Sequence, residues 1–108
     1  MKITNAVNII NEICSYLGDG WFINEKPDME LIDGYCQLIS EVDKNKDFSM
    51  YCCVNNGRLH IRGFVFNDVM GDGFTPALNK GALKLAKYIR KNVISQKYYL
   101  FSIVNNRK

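Results

Sequence analysis

Acidic residues stop at Asp72. From Gly73 to Lys108 the chain carries eight Lys or Arg and no Asp or Glu, whereas Met1 to Asp72 carries six basic residues against eleven acidic ones. The two parts hold +8 and −5, a division that the formal net charge of +3 conceals. A one-signed surface steers encounter with a partner of opposite sign without any catalytic group. Long apolar runs are missing as well: none approaches the about 20 residues of a membrane helix, and Met1-Lys2-Ile3-Thr4 does not lead into the apolar core and cleavage site of a signal peptide. A cytoplasmic protein with no membrane partner is the expectation. Only two prolines interrupt the chain, which argues against long disordered linkers, and the 47 % hydrophobic and 23 % charged content is that of a folded globular protein. With 108 residues the chain suffices for one domain, 1–108, around one modest core.

Groups that carry chemistry are scarce. His60 is the single histidine, and Cys14, Cys36, Cys52 and Cys53 contain no Cys-x-x-Cys pair, so the closely spaced ligand pairs of a structural zinc site are missing. Cys14 falls on an apolar helix face and Cys36 and Cys52 on an apolar sheet face, the pattern of buried reduced thiols. His60 has no Cys, Ser or Asp at a catalytic spacing, and without such partners it is a poor general base. Gly18-Asp19-Gly20 and Gly71-Asp72-Gly73 lack the Gly-Lys-Ser/Thr of a phosphate loop and read as turns. Asp68 and Asp72 lack the alternating ligands and terminal Glu of a calcium loop. The expectation is a protein that is not an enzyme and uses no cofactor or metal.

What is present reads as an α+β fold. Ala6, Ile9, Ile10, Ile13, Cys14 and Leu17 recur at helical spacing and predict a helix over about Thr4 to Leu17, stopped by Gly18-Asp19-Gly20. Trp21 to Asn24 reads as a short strand, broken at Lys26-Pro27-Asp28. Asn56-Gly57 between two alternating segments predicts a two-residue hairpin turn, because both positions require positive φ. That turn sets Val54 opposite Leu59, Cys52 opposite Ile61, Met50 opposite Gly63 and Phe48 opposite Val65, all on the core side. A preceding turn, Asp43 to Asp47, places Cys36, Leu38 and Val42 on the same side. The other face then holds Tyr35, Gln37, Ile39, Glu41, Ser49, Tyr51, Cys53, His60, Arg62 and Phe64, with Tyr51 opposite Arg62. A sheet face so rich in aromatic and apolar groups is either covered or used for binding.

A second helix is predicted from about Pro76 or Asn79 to Val93. Its apolar positions are Leu78, Ala82, Leu85, Ala86, Ile89 and Val93. Lys80, Lys84, Lys87 and Lys91 lie on the opposite side, with Arg90 nearby. Repeated Lys-Lys pairs four residues apart cost a few tenths of a kcal/mol each, and an ordinary solvated face mixes signs, so the stripe reads as a contact surface for phosphates or for an acidic protein. Lys97 to Val104 is compatible with a terminal strand or a helix, and its place after Ser95 favours helix. The expected architecture is an N-terminal helix, an antiparallel meander of about four strands, and one or two C-terminal helices packed on one sheet face.

Arg62-Gly63-Phe64-Val65-Phe66 echoes the aromatic strand motif of RNA-recognition domains, but that fold requires a helix between its first two strands. A strand with one buried face and Gly63 beneath a helix accounts for the same residues. A helix ending at Gly20-Trp21, the strand Leu59-His60-Ile61-Arg62-Gly63 and the helix Leu85-Ala86-Lys87-Tyr88-Ile89-Arg90 together resemble small accessory proteins of bacteriophages and other mobile elements. That resemblance implies antagonism of host defence, as by anti-CRISPR inhibitors that bind an effector complex without chemistry, and it transfers no catalytic residue. The partner it implies is a host protein or ribonucleoprotein complex in the bacterial cytoplasm. The chain departs from acidic nucleic-acid mimics in its basic C-terminal third, although Asp28, Glu30, Asp33 and Glu41 would also suit a nucleic-acid-binding groove. The alternative is a small nucleic-acid-binding module, with Lys80, Lys84, Lys87, Arg90 and Lys91 on phosphates and Tyr51, Arg62 and Phe64, beside His60, stacking on bases. Oligomeric state is not legible in the sequence.

Overall fold

The computed structural model describes residues 3–25, 34–42, 47–66 and 69–106, and for residues 3–6 the backbone alone. The break at Lys26-Pro27-Asp28, the interior of the 43–47 turn, and Asp28, Glu30, Asp33 and Asp68 lie outside the described residues. Helix α1 spans Ile3–Leu17, followed by strands β1 (Trp21–Ile23), β2 (Cys36–Ser40), β3 (Phe48–Asn55), β4 (Arg58–Val65) and β5 (Val69–Met70). Helices α2 (Ala82–Asn92) and α3 (Lys97–Asn106) close the chain, each preceded by a 3₁₀ turn, Leu78–Lys80 and Ile94–Gln96. The five strands form one antiparallel sheet in chain order, giving the predicted α+β class with one strand more than expected.

The β3–β4 hairpin carries the architecture. Asn56 and Gly57 take φ of 53° and 72°, the double positive φ of a type I′ turn, and the register follows as predicted from Val54↔Leu59 to Phe48↔Val65. On the core side Phe48, Met50, Cys52, Leu59, Ile61 and Val65 are each at most 3 % exposed. Ile10, Ile13, Cys14 and Leu17 of α1, and Ala82, Leu85, Ala86 and Ile89 of α2, join them in one cluster with Val93 and Leu100. Gly63 is required for this packing: a Cβ there would lie 2.8 Å from Phe48 Cε1 and 3.6 Å from Val93 Cγ1. The chain beyond β5 then runs along the outer edge of β4, where Leu59 N donates to Pro76 O and Ile61 exchanges both main-chain bonds with Phe74. An edge covered in this way offers no template for another strand.

Two expectations are corrected. Val42 does not face the core; it is 73 % exposed. Strand β2 stops at Ser40, whose Oγ donates to Asp19 O and accepts from Val42 N at 3.2 Å, a local turn that carries Val42 away from the sheet. The second helix starts at Ala82, not at Pro76 or Asn79, because Gly81 at φ 87° and ψ 154° breaks the helical phase after the 3₁₀ turn. The ambiguous C-terminal stretch is helix. No helix among the described residues is long and apolar enough to cross a membrane.

Candidate interaction groove

Both α1 and α2 place an apolar stripe on the same side of the sheet, so they become neighbours and leave a groove between their solvent-facing flanks. The groove has a volume of about 680 Å³. Lys80, Lys84, Lys87 and Arg90 line one wall, Glu12 and Tyr16 of α1 line the other, and Gly81, Ala82 and Leu83 complete the lining. Arg90 Nη1 donates to Tyr16 O at 2.7 Å and ties the two walls together. Lys80 reaches the groove from the 3₁₀ turn and holds its ammonium 6.0 Å from the centre of the Tyr88 ring. Four cations thus meet a single carboxylate across the cleft, with no acid in the first turn of α2 to offset them.

The basic stripe is therefore real but differently composed than helical periodicity predicts. Lys91 is exposed and lies outside the groove lining, while Arg90 lies within it. Sequence reasoning missed the opposite wall. Glu12 and Tyr16 are four residues apart and hence on one face of α1, flanking its apolar stripe, but nothing in the chain of letters says that α2 packs beside them.

The second sheet face is largely interior. Gln37 and Ser49 are 0 % exposed and Tyr51 is 6 % exposed. Asn24 Nδ2 donates to Gln37 Oε1 at 2.9 Å, Gln37 Nε2 donates to Tyr51 OH at 3.2 Å, and the Tyr51 ring meets Phe64 edge-on at 4.5 Å. Tyr51 thus has no face open to a base, a correction to its reading as a stacking residue, and Phe64 is only half-exposed. Arg62 is exposed but donates from Nη1 to Met70 Sδ, and its guanidinium occupies the space over Gly73. His60 is half-buried opposite Cys53 in the β3–β4 register. The Tyr35 hydroxyl is pushed above its usual value by its hydrogen bond to Cys53, with the charge of Cys53 and burial adding and Arg62 opposing.

No family model, curated protein or solved structure matches this chain. Its chemistry must be read from its own residues. Among the described residues no three His, Cys, Asp or Glu side chains are grouped so as to hold a metal ion. The four cysteines are free, and Cys14, Cys36 and Cys52 are buried. Burial, and secondarily the neighbouring Cys36, pushes the Cys14 thiol up to about 11, and burial likewise raises Cys36 and Cys52. Thiols held protonated are poor nucleophiles, so they act as core groups and not as a reactive site. The groove is a concave, charged feature of the described surface that a partner can enter.

Proposed function

We propose that this chain is a non-catalytic interaction protein of the phage accessory type, which docks its basic groove on a host defence or nucleic-acid-processing complex and inhibits it by occlusion. The observation that carries this reading is the cationic wall formed by Lys80, Lys84, Lys87 and Arg90 in a cleft. Such a wall accelerates encounter with an anionic surface and holds it without a chemical step. The burial of Tyr51 disfavours a module that stacks bases on its sheet. The resemblance of the α1 end, β4 and α2 segments to mobile-element proteins supports a host complex as the target.

The test is inhibition of a complex captured from bacterial lysate, with Lys80, Lys84, Lys87 and Arg90 changed together to Gln as the comparison. Inhibition by the parent that the variant delivers only slowly, through reduced association, is the expected result. Equal inhibition by both, or capture with no loss of the complex's activity, overturns the reading.

A further inference from the structure

The two walls of the groove differ in chemistry, and that difference selects the partner. Lys84, Lys87 and Arg90 follow one another at three-residue spacing, a rise of about 4.5 Å per step along α2, and all three line the groove. The facing wall presents Tyr16, 45 % exposed, with the Glu12 carboxylate on the same face of α1. An acidic peptide such as polyglutamate would satisfy the cations but leave the Tyr16 ring and the Glu12 carboxylate without complements. A nucleotide offers all three complements: an anionic phosphate for the lysines, a π-face for the tyrosine, and exocyclic amino hydrogens for the carboxylate. A cleft of about 680 Å³ has the size of a small-ligand site and admits an unstacked base beside the cationic wall.

We infer that the groove between α1 and α2 binds single-stranded nucleic acid, with phosphates on Lys80, Lys84, Lys87 and Arg90 and a base stacked on Tyr16 beside Glu12. This rests on the reading of the groove as the docking face and names what enters it: the nucleic-acid strand of the target complex. The aromatic partner lies on α1 and not on the sheet, so the nucleic-acid chemistry does not depend on the buried Tyr51.

Binding is measured by fluorescence anisotropy with a labelled 12-base single-stranded DNA of mixed sequence, against the same length of duplex and a 12-residue polyglutamate peptide as competitors. Saturable binding of the single strand at physiological salt is expected, with duplex and polyglutamate competing poorly. Four neutralised phosphates imply a log-log salt slope of about −2.8, which the quadruple Gln variant flattens. Tyr16→Ala weakens binding roughly 5- to 150-fold, and Tyr16→Phe retains it. Both tyrosine variants leave the main-chain carbonyl that Arg90 uses intact. Competition by polyglutamate equal to that by the oligonucleotide, or indifference to Tyr16→Ala, overturns the inference. If the oligonucleotide does not bind while the quadruple variant still loses inhibition of the captured complex, the docking face stands and only its nucleic-acid ligand is wrong. If the quadruple variant inhibits in full, the proposed function fails as well.

Discussion

Arg90 Nη1 donates a 2.7 Å hydrogen bond to the main-chain carbonyl of Tyr16, 74 positions away in the chain. Tyr16 lies in the last turn of α1, where carbonyls lack an intrahelical partner and the helix dipole favours a cation. Arg90 therefore closes the C-terminal end of α1 and sets the spacing of the groove walls. Arg90→Ala should lower stability by about 1 kcal/mol, read as a shift in urea midpoint at unchanged slope. Arg90→Lys should recover only part of that loss, because the guanidinium's fixed fork is lost.

Gly63 lies beneath the Phe48 ring. Its φ is not positive, so the requirement is space and not backbone conformation. Gly63→Ala should destabilise the fold by about 1–3 kcal/mol, since an added methyl would overlap Phe48 at 2.8 Å. Thermal denaturation by circular dichroism measures it, and pairing the change with Phe48→Leu should recover part of the loss if the clash is its cause.

Ser49 and Gln37 are both fully buried on the second sheet face, yet they differ in hydrogen bonding. Ser49 Oγ has no partner, whereas Gln37 joins Asn24 to Tyr51. Ser49→Ala should be neutral or stabilise by about 1 kcal/mol, because it removes a desolvated hydroxyl. Gln37→Ala should cost about 2 kcal/mol or more by leaving polar groups of its neighbours exposed to an apolar surround. Equilibrium urea unfolding of the two variants measures the difference, with a clear loss expected for Gln37→Ala and none for Ser49→Ala.

Stability should fall at alkaline pH. Cys14 has its thiol raised from 9.0 to about 11 by burial, and Cys36 and Cys52 are raised for the same reason. The unfolded chain releases these protons first, so the contribution is fully present below about pH 8 and is lost as pH rises from 9 towards 11. Urea midpoints between pH 7 and 10.5 test the slope. Cys14→Ala should flatten it while lowering stability at neutral pH through the cavity it leaves.

The amino-acid sequence by itself determined the β3–β4 register, the core face and the polarity of charge. Positive φ at Asn56 and Gly57 permits one tight turn, and a period of two then assigns every residue of both strands to a side. Local periodicity also placed α1 and, within α2, Lys84 and Lys87 on the side away from the core. What only the tertiary structure decided is which surfaces meet. That Tyr51 is interior, that Val42 turns outward at Ser40, that Arg90 and not Lys91 enters the groove, and that Glu12 and Tyr16 face the cations all depend on contacts between segments far apart in the chain. Periodicity reports the direction of a side chain relative to its own element. It carries no information on the neighbour that covers that side, because the neighbour is chosen by packing between segments far apart in the chain, as where α1, α2 and α3 bury Leu17, Leu85 and Leu100 in one cluster.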